Sequence, residues 1–121
     1  QGLPVDIIKG ALLASGMYDL KPVRLSVRSS YVKFTDPMEQ ALSPQRHLDL
    51  VHAPLVLAHG ALETPEFQRQ TKDFAAALRA AGKPVDVVVG NGCTHFDLQD
   101  TLLNPYGLLG RRALAMMGIM V

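Results

Sequence analysis

The sequence predicts an α/β fold in which parallel strands alternate with covering helices. Three observations lead there: three short apolar runs separated by helical or irregular segments, one amphipathic helix with both ends signalled between the second and third runs, and an apolar helical stretch near the end. Strand, irregular helical segment, strand, helix, strand, helix is the order of a parallel sheet covered on both faces.

Residues 6–14 (DIIKGALLA) form the first run, with Lys9 the one charge after Asp6 and Ser15-Gly16 at its end, and read as a buried strand. Residues 21–52 carry prolines at positions 22, 37 and 44 and turn signals at Asp36-Pro37 and Ser43-Pro44, which predicts loops around short helices. Residues 54–59 (PLVLAH), closed by Gly60, read as a second buried strand. The clearest helix has Thr64 as N-cap, Pro65 in first position and Glu66 where the helix dipole favours an acid. Phe67, Thr71, Phe74, Leu78 and Ala81 follow at helical spacing, and Gly82 supplies the stop. Residues 84–89 (PVDVVV), followed by Gly90-Asn91-Gly92, are β-branched and predict a third strand. A final apolar helix is expected from Pro105 or Tyr106 to Met117.

At 121 residues the chain has room for one small domain or part of a larger one. Its 48% hydrophobic and 19% charged residues are those of a core-forming chain. Twelve basic against eleven acidic residues, with no run of like charges longer than two, argue against a nucleic-acid surface. The apolar runs fall far short of the roughly 20 residues of a membrane span, and the first residues lack the basic n-region of a secretory signal. A lone cysteine, Cys93, rules out an internal disulfide and makes a reducing, cytoplasmic setting the default. Three strands make a thin sheet with two unpaired edges, so the chain reads as half of a larger domain.

Ligand chemistry in such sheets lies beyond the carboxyl ends of the strands. His95 stands in the loop after the third strand, where a general base would be mounted; the competing reading is a packed or surface histidine. Glu63 stands in the loop after the second strand, one strand away and within reach of His95; the competing reading is an acid near a helix start, which fits Glu66 even better. A carboxylate bonded to one imidazole nitrogen fixes the tautomer and leaves the other nitrogen free to take a proton from a nucleophile. No G-x-S-x-G elbow is present, and Ser15, Ser26, Ser29, Ser30 and Ser43 lack the flanking glycines of one. The histidines at 47, 52 and 59 share no metal-ligand spacing with Cys93, which reads as a packed thiol. Met17 and Tyr18, just past the first strand, suit either packing or substrate passage.

The segments SGMYDL (15–20), LAHGALETPEFQRQTKDFAAAL (57–78) and Thr94-His95-Phe96 resemble the carboxyl-terminal half of α/β-hydrolases of the arylformamidase (kynurenine formamidase) and carboxylesterase type, over nearly the whole chain. The resemblance implies that residues 1–121 are the carboxyl-terminal half of a single α/β-hydrolase domain whose serine elbow and oxyanion-hole glycines lie amino-terminal to it. It implies that His95 is the histidine of a Ser-His-acid triad and that Glu63 holds the place of its acid, usually aspartate. It implies hydrolysis of small carboxylic esters or aryl formamides without metal or organic cofactor, and inactivity of this chain by itself. The expected partners are the small substrate and the missing half, with no nucleic acid and no membrane, and homo-oligomers are compatible. The rival reading is a non-catalytic α/β remnant kept for association. A nucleotide-binding domain fares worse, because no G-x-G-x-x-G or P-loop follows any strand.

Overall fold

The computed structural model describes residues 2–120. Strands β1 (Ala11–Ala14), β2 (Leu55–Gly60) and β3 (Val85–Gly90) form one parallel sheet in the order β1-β2-β3. Between β1 and β2 the chain runs through α1 (Lys21–Arg24), α2 (Asp36–Leu42) and three 3-10 turns, the irregular helical passage that its prolines predict. After β2 comes α3 (Pro65–Ala80), and after β3 come α4 (His95–Asp100), a 3-10 turn and α5 (Leu108–Met116). The expected strand–helix alternation is present, with one helix more than the sequence indicated.

β2 is the central strand and is buried throughout, as its unbroken apolar run requires. Its alternate residues feed two cores. On one face Leu55 and Leu57 meet Phe74, Ala75 and Leu78 of α3, with Tyr18 beside them; on the other Ala58 meets Leu98 of α4 and Leu109 of α5. Phe74 and Leu78 are 1% and 0% exposed, and burial on that scale contributes about 1.5–3 kcal/mol for each such side chain. Polar α3 residues share its inner face: Gln70 and Thr71 are buried, Phe67 is half-buried, and the expected contributor Ala81 is exposed.

Several expected boundaries shift for local reasons. The first strand covers only Ala11–Ala14, because the ladder begins where Ala11 meets Leu55; residues 2–9 are exposed, and Ile7 folds back toward Pro4 in a turn. β1 and β3 are half-buried rather than buried, being the two edges of a three-stranded sheet. α3 begins at Pro65 as expected, but the Thr64 side chain makes no cap bond; its carbonyl accepts from the Phe67 amide instead. The far end is a Schellman closure, with Gly82 at φ +72°, its amide on the Arg79 carbonyl and the Lys83 amide on Leu78. The final helix starts at Leu108 rather than at 105 or 106, since Asn104 holds a turn, its carbonyl accepting from the Gly107 amide and its side chain from the Tyr106 amide.

Candidate active site

Both expected site residues lie at the carboxyl edge of the sheet, on neighbouring connections. Where β2 ends, Gly60 lies against the Cys93 carbonyl, so closely that a Cβ would collide with it. The following turn is stitched to the β3 side: the Ala61 amide donates to the Gly90 carbonyl at 2.9 Å and the Leu62 amide to the Cys93 carbonyl at 3.0 Å. Gln68 of α3 donates to the carbonyl of Glu63 at 2.8 Å. Glu63 is thereby held on fixed backbone between the two elements.

His95 is not on a free loop, as the glycine-bearing stretch 91–96 suggested, but is the first residue of α4. The reason is a capping box that sequence reading passed over: the Thr94 side chain accepts from the Asp97 amide while the Asp97 carboxylate accepts from the Thr94 amide at 3.0 Å. Donation from the Thr94 amide, seconded by the Thr94 hydroxyl, holds the Asp97 carboxyl below the usual aspartate range.

The two meet. His95 Nδ1 lies 2.7 Å from Glu63 Oε1. An ionised carboxylate only accepts, so Nδ1 carries the hydrogen and donates it, leaving Nε2 with its lone pair. Nε2 faces the more open side, 3.2 Å from the Gln99 amide nitrogen one helical turn on. The imidazole packs against the rings of Phe67 and Phe96, with centroids 4.9 and 5.3 Å away. Its side chain is 35% exposed, whereas that of Glu63 is fully buried.

Burial pushes the Glu63 carboxyl up, but the Gly60 amide, the Ser15 hydroxyl and the His95 ring outweigh it and hold the group below its ordinary value. Oε2 accepts from the Gly60 amide at 2.6 Å and from Ser15 Oγ at 2.7 Å, so each carboxylate oxygen has a partner. Ser15 was weighed in the sequence only as a nucleophile; its hydroxyl instead serves the acid. A polar residue where a strand ends was the available signal, but the partner lies 48 residues away.

The other residues singled out fall elsewhere. Glu66 pairs with Arg69 on the surface of α3, at 2.6 Å, as the helix-start reading had it. Tyr18 is a core residue: it is 4% exposed and stacks on Phe74 with centroids 4.3 Å apart, and burial raises its hydroxyl pKa to about 12. Cys93 is half-buried and packs at the edge of the second core. His59 is buried in β2, and His47 Nε2 lies 2.7 Å from the Gln40 carbonyl; among the described residues no three metal-ligating side chains converge. No described helix is long and apolar enough to cross a membrane.

No protein-family model matches the chain. In sequence it is similar to the kynurenine formamidase of Danio rerio, with 30% identity over 116 residues, and to that of Salmo salar, with 31% over 117. Each match covers 92% of this chain but 40% of the relative, so the chain spans about two fifths of the length of these relatives. Among solved structures, a proposed thioesterase from a Silicibacter species superposes with a TM-score of 0.75 at 21% identity, over 85% of this chain and 37% of the other. Esterase 2 of Thermogutta terrifontis does so with a TM-score of 0.61 at 20% identity, over 93% and 43%. Over the span it covers, the chain has the α/β-hydrolase fold and is homologous to kynurenine formamidases.

Proposed function

We propose that this chain is the carboxyl-terminal half of a serine hydrolase domain and supplies the histidine and the acid of a Ser-His-acid triad that cleaves small carboxylic esters or aryl formamides. The observation that carries the reading is the buried Glu63 carboxylate 2.7 Å from His95 Nδ1, with Nε2 turned outward at the strand ends where such sheets do their chemistry. The similarity to kynurenine formamidases and the fold shared with an esterase support it.

In this mechanism a serine from outside residues 1–121 attacks the substrate carbonyl while His95 Nε2 takes its proton, and the tetrahedral intermediate forms. His95 returns that proton to the departing alcohol or amine, leaving an acyl-serine, and a water activated by the same nitrogen releases the acid. Glu63 keeps the hydrogen on Nδ1 and stabilises the imidazolium formed in each half-reaction. Among the described residues no serine hydroxyl is bonded to His95, and in this reading the nucleophile and oxyanion hole come from outside residues 1–121, so by itself the chain is expected to be inactive.

The test is intact mass beside turnover of p-nitrophenyl acetate and a formyl-anilide by the full-length protein that carries this chain. Turnover abolished by His95→Ala supports the reading, and turnover indifferent to that change refutes it. The other reading, a non-catalytic association module, draws on the open β1 edge and on exposed Ile7 and Ile8 beside it. A full-length protein without turnover of either probe, binding a partner through that edge, would favour it.

A further inference from the structure

Ser15 is the only described non-glycine residue with positive φ, at +54°. Glycine adopts that backbone freely, whereas serine does so at a cost. The turn is nonetheless firmly held. The Ser15 amide donates to the Ala58 carbonyl at 2.8 Å, continuing the pairing of β1 with β2 by one residue, and Gly16 lies so close to the Tyr18 ring that any side chain there would collide with it. Beyond it, the Tyr18 and Asp19 amides both donate to Gln70 Oε1 of α3, each at 3.0 Å. This frame directs the Ser15 hydroxyl, at a residue 7% exposed, to Glu63 Oε2.

We propose, building on the triad reading, that Ser15 is the positioning residue of the acid: its hydroxyl, aimed by a left-handed turn, saturates Glu63 Oε2 together with the Gly60 amide and so reserves Oε1 for His95. With two donors on one oxygen, rotation of the carboxylate would break two short bonds to remake them on the other oxygen. The geometry also excludes Ser15 as the nucleophile. Its proton goes to the acid, and among the described residues it shares no hydrogen bond with His95. Without the hydroxyl, a lone pair of a fully buried carboxylate is left unpaired and the carboxylate is free to turn from the ring. Ser15, 7% exposed with its hydroxyl spent on the acid, acts in this proposal through Glu63 and not on the substrate, so the loss belongs in kcat and not in KM.

The experiment uses the full-length protein that carries this chain. Ser15→Ala removes the hydroxyl and keeps the strained backbone; Ser15→Gly removes it and relieves the strain. Each lowers kcat about tenfold, the worth of one charge-assisted hydrogen bond, with KM within about twofold. In a Glu63→Ala background, adding Ser15→Ala changes kcat by less than about twofold, because the hydroxyl acts only through the acid. Independently of turnover, the NMR signal of the His95 Nδ1 proton moves or broadens in both Ser15 variants. Parental kcat and an unmoved Nδ1 proton in Ser15→Gly would show that the residue only shapes the turn, and an additive loss in the Glu63→Ala background would show that it acts elsewhere. Unfolding of both variants would also overturn the proposal. Activity that survives His95→Ala defeats the triad reading itself, whereas activity lost in His95→Ala but intact in both Ser15 variants defeats this inference alone.

Discussion

Glu63→Gln exchanges one carboxylate oxygen for an amide nitrogen and should nearly abolish turnover while leaving the fold in place. Two hydrogens already point at Oε2, from the Gly60 amide at 2.6 Å and from Ser15 at 2.7 Å. Only an acceptor fits there, so the glutamine carbonyl must take that place and its NH2 must face His95 Nδ1. Two N–H groups cannot oppose each other at 2.7 Å, and the ring escapes by moving its hydrogen to Nε2. In the proposed triad that is the nitrogen that must be free to accept the proton of the nucleophile. A carboxylate-to-amide change that leaves geometry intact but selects the wrong tautomer costs about 10⁴ in kcat in a serine protease, and a loss of roughly 10³–10⁴ is expected here if the proposed triad operates. The three bonds survive in part as neutral ones, so the stability cost should be about 1–3 kcal/mol. Turnover of p-nitrophenyl acetate and a thermal melt, on the full-length protein, measure the two effects. A variant that keeps its fold and retains kcat within about tenfold of the parent would refute the claim that Glu63 sets the tautomer of His95.

Two further outcomes follow from the same geometry. Gly60→Ala drives a Cβ into the Cys93 carbonyl and to 3.0 Å from the Thr94 oxygen; the overpacking should cost about 1–3 kcal/mol, and the displaced start of α4 should lower kcat by about 10², read in a melt and a steady-state assay. The native Glu63 and Glu39 carboxyls both lie below the ordinary value of 4.5: in each, burial raises it but is outweighed, by Gly60, Ser15 and His95 for Glu63 and by Arg24 and Arg46 for Glu39. A depressed native value stabilises the fold above the unfolded value, and that stabilisation is lost as pH falls through the lower native one. Urea midpoints should therefore drop mainly below pH 4.5, and Glu63→Gln should flatten part of that drop; an unchanged slope would count against the bonding described.

Much of this architecture was legible in the sequence because the deciding forces there are local. A β-branched or apolar run between turn residues can hardly avoid the sheet, and β2 and β3 lie within one residue of their expected bounds. Pro65 and Gly82 mark α3 through backbone preferences that need no partner. The first strand was overextended because apolarity at Ile7 and Ile8 speaks for burial, whereas pairing depends on where β2 begins. The start of α4 was legible too, in Thr94 and Asp97, but the glycines before it drew the reading toward a loop.

Placing Glu63 and His95 on adjacent connections followed from strand order, so the sequence could bring the two within reach of each other. It could not establish their contact, nor find the third group. The contact depends on the turn after Gly60 being tied to Gly90 and Cys93, and Ser15 reaches Glu63 only because the register sets Ala14 beside Ala58. A hydroxyl and a carboxylate 48 residues apart carry no local signal of each other. What the sequence by itself determined was which segments form the strands and the long helix, and that Glu63 and His95 follow successive strands at the same end of the sheet. Only the tertiary structure decided how the buried carboxylate shares its oxygens, because hydrogen bonding of that kind is set by ångström-scale register between strands, to which residue type and spacing are blind.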